Sequence, residues 1–212
     1  MELEILYADS AVAVCRKPVG VSSEQEGAVA LLQKQLGGSI FCVHRLDRAV
    51  GGVMVYARTQ KAAAALSGMI AKGELEKTYL AVVQGKTEKE RDTLRDLLYH
   101  DAQRNKSYVV SRLRRGVREA VLEYERLGEA MWEGQTLSLL RIRLLTGRSH
   151  QIRVQLASRG LPLVGDGRYG STLRGGEIAL FSQSLRFAHP VSHERMQVTA
   201  ERPEGFPWEL FG

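Results

Sequence analysis

With 212 residues, 44% of them hydrophobic and 25% charged, the chain has the composition of a globular protein able to bury a core without covalent staples. Its formal net charge of +6 favours an anionic partner, nucleic acid first among them. Two cysteines, Cys15 and Cys42, with no CxxC pair exclude a disulfide framework and read as thiols of a reducing compartment. No apolar run approaches the roughly 18 residues of a membrane span, and the acidic start Met1-Glu2-Leu3-Glu4 lacks the basic end and apolar core of a signal peptide. A cytoplasmic protein without membrane contact is expected.

In chain order, residues 3–8 and 11–16 read as two strands around the turn Asp9-Ser10. A Pro/Gly loop with one cation follows, Lys17-Pro18-Val19-Gly20-Val21-Ser22-Ser23. Helical spacing of Val29, Leu32 and Leu36 predicts a helix over 26–37, stopped at Gly37-Gly38. The next segment, Phe41-Cys42-Val43-His44-Arg45-Leu46-Asp47-Arg48-Ala49-Val50-Gly51-Gly52, is a charged, glycine-bearing loop between apolar runs, and a strand leaves it at about 52–57. A loop held between strands suits a reactive side chain, with Asp47 the candidate; a surface ion pair of Asp47 with Arg45 or Arg48 is the other reading. An alanine-rich helix is predicted over 60–72 and a β-branched strand over 77–83, ending at Gly85.

Residues 86–105 read as a charged loop with a partial strand or helix turn around Leu94, Leu97 and Leu98. Strands over 106–111, 118–127 and 135–145 suggest an antiparallel meander. A helix is predicted over 149–158, with Ser149 as N-cap and Gly160 just past its end. Strands resume at 178–187 and 196–201. The pattern implies one α+β domain around a mixed, largely antiparallel sheet flanked by helices.

Several stretches carry or mimic chemistry. Gly165-Asp166-Gly167-Arg168-Tyr169-Gly170 is a literal GxGxxG, but no periodic helix opens after it and no acidic residue follows about twenty positions on, so a dinucleotide site is rejected. His189 and His193 have helical spacing, yet Pro190 forbids a helix interior there, and no metal site is expected. In Thr146-Gly147-Arg148-Ser149-His150-Gln151-Ile152-Arg153, a helix start with Arg148 and His150 beside it suits an anion. Arg153, one turn in, is placed to pair with a carboxylate from elsewhere; a solvated basic helix start is the alternative. Tyr79 opens a strand, where packing is the ordinary role of an aromatic. Arg112, Arg114, Arg115 and Arg118 bracket Gly116 as a solvated cluster or a phosphate contact.

Taken together, Lys17-Pro18-x-Gly20, His44-Arg45-Leu46-Asp47, Lys77-Thr78-Tyr79-Leu80-Ala81, the 144–153 segment and Gly165-Asp166-x-x-Tyr169-Gly170 occur in the order seen in RluA-type pseudouridine synthases. The chain resembles that family from about residue 10 to 200. The resemblance implies a pseudouridine synthase fold with a central RNA-binding cleft, rRNA or tRNA as partner, and isomerisation of uridine to pseudouridine without a cofactor. It implies that Asp47 is the catalytic aspartate, Tyr79 the site tyrosine and Arg153 the basic residue paired with the carboxylate. His44 and Arg45 fall where the family flanks the flipped base; Lys17, Arg148, His150 and Gln151 join them as expected RNA-binding positions. The family usually shows Thr-Ser-Gly-Leu after the aspartate, whereas this chain reads Val50-Gly51-Gly52-Val53, so two loop-stiffening hydroxyls are missing. Many members carry an N-terminal S4 RNA-binding domain; none is expected here, and residues 1–212 are read as a single catalytic domain, a monomer. The competing readings are a silent RNA-binding relative and, further off, a nucleoside or glycoside hydrolase with Asp166 as its second carboxylate.

Overall fold

The apolar alternation at both ends of the chain builds one sheet region, and the β-branched middle builds another. The computed structural model describes residues 1–173 and 176–212; Arg174 and Gly175, part of the loop predicted after the glycine run, lie outside them. Chain contacts divide the protein into two compact units. The first comprises Met1–Thr78 and Phe181–Glu201, the second Tyr79–Leu180 and Arg202–Gly212.

In the first unit, β1 (Glu4–Ala8) pairs antiparallel with β2 (Val12–Lys17), and β2 with β4 (Gly51–Ala57) in the register Val12↔Ala57 to Lys17↔Gly52. The opposite edge of β4 is shared. Its end takes the short β3 (Phe41–Cys42), and its start pairs parallel with β10 (Leu180–Ala188) at Phe181↔Gly51 and Ser182↔Gly52. β11 (Arg195–Thr199) extends β10 antiparallel. Every residue of β4 is buried, as its unbroken apolar run demands.

The predicted helix over 26–37 is two pieces, a π-turn (Gln25–Val29) and α1 (Ala30–Leu36). The break falls at Gly27, where a Cβ would stand 2.1 Å from the Ser22 carbonyl oxygen. α2 (Gln60–Lys72) matches its expectation; Thr59 accepts a capping bond from the Ala62 N–H at 3.1 Å, and Gly73 closes the helix in the left-handed region.

The second unit holds β5 (Glu76–Gln84) from Tyr79 onward, β6 (Arg91–Asp101), β7 (Lys106–Val110), β8 (Val117–Trp132) and β9 (Gln135–Leu144), in the order β5-β9-β8-β6-β7. The expected loop over 86–105 is corrected, since most of it is the eleven-residue β6. Its period of two was hidden because Asp96 occupies the face that buries Leu94 and Leu98. There it is matched by Gln155 Nε2 at 2.7 Å and by the Arg159 guanidinium at 2.9 Å. The outer face is a ladder of ion pairs to β8, Arg91 with Glu125 and Arg95 with Glu119.

The helix α3 is shorter than predicted, Gln151–Ala157, and Ser149 is not its cap. His150 precedes the helix at φ +54° with no side-chain cap. Gln151 does the work instead: its Oε1 accepts from the Arg148 N–H (3.0 Å) and the Thr146 hydroxyl (2.8 Å), and its Nε2 donates to the Val121 carbonyl.

Candidate active site

Asp47 sits in the loop between β3 and β4, in the first unit, and is partly buried. The backbone on both sides of it is fixed by the 17–23 segment. The buried Ser23 hydroxyl donates to the Leu46 carbonyl at 2.8 Å and accepts from the Leu46 N–H at 3.0 Å. On the far side, the Gly20 N–H donates to the Arg48 carbonyl (2.8 Å) and Arg48 Nε donates to the Gly20 carbonyl (2.6 Å). The loop closes on itself through Val50 N–H to the Asp47 carbonyl at 2.9 Å. The 17–23 segment is stiffened in turn by Lys17, whose fully buried ammonium donates to the Pro18 and Val21 carbonyls at 3.0 and 2.8 Å. Tyr56 adds a bond from its hydroxyl to the Ser23 carbonyl.

Gly52 makes the loop's exit possible. It lies at φ +123°, and a Cβ there would stand 2.2 Å from the Ser182 carbonyl oxygen, so only glycine lets β4 and β10 pair at this point. His44 is buried and its Nε2 accepts from the Val55 N–H at 3.3 Å. Burial, with the Lys77 charge added, holds its pKa well below the ordinary range, so the ring is neutral. Its Nδ1 finds no hydrogen-bond partner among the described residues. Arg45 is exposed and stands 3.7 Å from Glu24, a separation at which an exposed pair contributes little.

In the second unit, Arg153 is 5% exposed and its guanidinium grips Asp166 with two bonds, Nε to Oδ2 at 2.6 Å and Nη2 to Oδ1 at 2.9 Å. The Tyr169 ring covers the same guanidinium, 5.0 Å from its centroid. The Tyr169 hydroxyl accepts from the Ser107 N–H (2.8 Å) and shares a 2.9 Å bond with His150 Nδ1. Burial raises the Tyr169 pKa, against Ser107 and Arg153, which lower it, so the phenol stays protonated. Ser107 Oγ gives its proton to the Ser149 carbonyl at 2.6 Å and is left to accept from His100 Nδ1 at 3.1 Å. Asp166, Tyr169, His150 and Ser107 thus form a cage that fixes one cation in a dry setting, where a bidentate pair is strongest. Tyr79, near the start of β5, is 5% exposed.

The expected site residues therefore fall into two groups. Lys17, His44, Arg45 and Asp47 share the first unit's loops, while Arg148, His150, Gln151 and Arg153 flank the start of α3. Of the six expected RNA contacts, Arg45 and Arg148 are exposed, whereas Lys17, His44, His150 and Gln151 are buried and bonded within the fold. Sequence reasoning missed Ser23, Gly20 and Ser107, whose roles depend on partners more than twenty residues away. It quoted Asp166 and Tyr169 but not as the partners of Arg153. Asp166, 1% exposed and held by two bonds, lacks the access a hydrolase acid needs. Among the described residues no group of three or more His, Cys, Asp or Glu is placed to hold a metal ion, and no helix is long and apolar enough to cross a membrane.

Comparison with known proteins identifies similar chains. A family profile described as RNA pseudouridylate synthase matches residues 11–158. The uncharacterized RNA pseudouridine synthase YhcT of Bacillus subtilis is 33% identical, over 99% of this chain and 70% of the relative. The tRNA pseudouridine synthase C of Vibrio parahaemolyticus is 30% identical, over 94% and 90%. The ribosomal large subunit pseudouridine synthase D of Xanthomonas campestris is 35% identical, over 95% and 66%. The structure of human RNA pseudouridylate synthase domain containing 1 has the same fold, with a TM-score of 0.83 at 24% identity, over 99% of this chain and 86% of that one.

Proposed function

The chain belongs to the RNA pseudouridylate synthase family, isomerases of uridine in RNA, and from that premise we propose that Asp47 is its catalytic carboxylate and that the target uridine is turned out of the RNA to reach it. The isomerisation breaks the N1–C1′ bond, rotates the base and joins C5 to C1′. The C5 proton leaves to water and N1 gains one, so no electrons are exchanged and no redox cofactor is called for. A carboxylate serves this by attacking the sugar or base, or by stabilising the positive charge that develops on the sugar. Arg153 is assigned the pairing with that carboxylate, which favours its charged form and aims it. Tyr79 is assigned the face on which the extruded uracil stacks.

The observation that carries the reading is the double bracing of the Asp47 backbone at Leu46 and Arg48, which spends a buried serine and a tight loop on orienting one acid. It also answers the missing hydroxyls at positions 50 and 51, since the loop is stiffened by Ser23 from outside. Transfer RNA and ribosomal RNA are the proposed substrate classes, because the similar proteins are named for both. The experiment is release of tritium from RNA labelled at uracil C5. Release by the natural protein with the strand intact, lost at least a thousandfold in Asp47→Asn on the order seen for essential catalytic groups, is the expected result. Binding without release would show a silent RNA-binding relative, and free uracil a hydrolase.

A further inference from the structure

We propose that the hairpin joining β7 to β8 is an RNA contact, gripping the phosphate backbone. The inference rests on the reading of this chain as an RNA-modifying enzyme. Arg112, Arg114, Arg115 and Arg118 are all exposed, and no acidic residue occurs from 102 to 118. These four charges compare with a formal net charge of +6 for the whole chain.

Their lack of partners sets them apart from the arginines of the neighbouring strands. Arg91, Arg95, Arg126, Arg141 and Arg143 are each in an ion pair with a carboxylate of the same unit. None of the four hairpin arginines has one among the described residues. A fold that neutralises its strand arginines with glutamates and leaves one loop bare concentrates positive potential there.

The loop is also shaped. Val117 N–H donates to the Arg114 carbonyl at 3.0 Å, Gly116 turns at φ +84°, and the Arg114 guanidinium lies 5.3 Å from the Tyr99 ring centroid. Stacking fixes that guanidinium without consuming its charge. The loop carries no carboxylate to repel a phosphate, and its exposed guanidiniums suit phosphate oxygens.

The test measures binding of an RNA stem-loop that carries the target uridine, separately from turnover. Arg112→Ala combined with Arg115→Ala leaves the stacked Arg114 in place. It is expected to weaken binding about tenfold near physiological salt and to lower the slope of log K against log salt by about 1.5, two phosphate contacts at ~0.7–0.9 each. The kcat at saturating RNA stays unchanged, and the double lysine variant recovers the affinity. An unchanged salt slope, a fall in kcat with affinity kept, or a lysine variant as weak as the alanine one would each overturn the proposal. Turnover by Asp47→Asn would sink the catalytic assignment while leaving this binding measurement intact.

Discussion

The loop around Asp47 is held by its backbone, through neutral bonds from Ser23 and Gly20 to Leu46 and Arg48, whereas Arg153 is held by its own head group, through a charged partner and an aromatic lid. The first arrangement distributes the work over several modest bonds. The second fixes a buried cation through a bidentate charged pair. Bonds of the first kind are lost a little at a time; a buried pair fails at once, because removing one partner strands the other's charge in a dry interior.

That contrast predicts a ranking. Asp166→Ala is expected to cost about 3–5 kcal/mol, read as a drop of roughly ten degrees in melting temperature for a chain of this size, with activity lost alongside. A cost below that of the Ser23 variant would break the comparison.

Ser23→Ala leaves the buried N–H and carbonyl of Leu46 without their shared partner and is expected to cost about 1–3 kcal/mol. Its signature is kinetic. Displacement of Asp47 lowers kcat on the order of tenfold to a hundredfold while KM for RNA holds. Ser138→Ala removes a hydroxyl bond of 2.8 Å to the Gly85 carbonyl at a residue with 0% exposure. It should cost similar stability and leave kcat alone; equal kcat losses in the two variants would reduce Ser23 to a packing residue.

The smallest effect is a pH dependence. His44 is neutral in the fold because burial and then Lys77 depress its pKa well below 6.5, so below that pH the unfolded chain binds a proton that the folded one does not. Stability is therefore whole above about pH 6.5 and falls as the pH drops, by up to ~1.4 kcal/mol per pH unit for one proton. Urea unfolding between pH 5 and 8 reads this slope, and His44→Gln flattens it. An unchanged slope in that variant would place the proton uptake elsewhere.

What the sequence revealed was what short-range physics encodes. β4 and α2 were legible because an unbroken apolar run and an alanine-rich segment are local signals. β6 was not, because Asp96 takes a core-facing position that only distant Gln155 and Arg159 make tolerable. Asp47 and Arg153 stood out through their flanking motifs. The roles of Lys17 and Gln151 did not, since a polar residue in a loop gives no sign that remote carbonyls will bury it. Asp166 and Tyr169 were visible as residues but not as partners, because thirteen and sixteen positions of helix and turn separate them from Arg153.

The parallel pairing of β4 with β10 has a consequence for synthesis. Gly51 and Gly52, at the exit of the Asp47 loop, take Phe181 and Ser182 as neighbours, and the whole of residues 79–180 belongs to the other unit. A ribosome delivering on the order of 10 residues per second needs roughly ten seconds to cross that interval. Through that time the nascent aspartate loop lacks the flank that β10 provides.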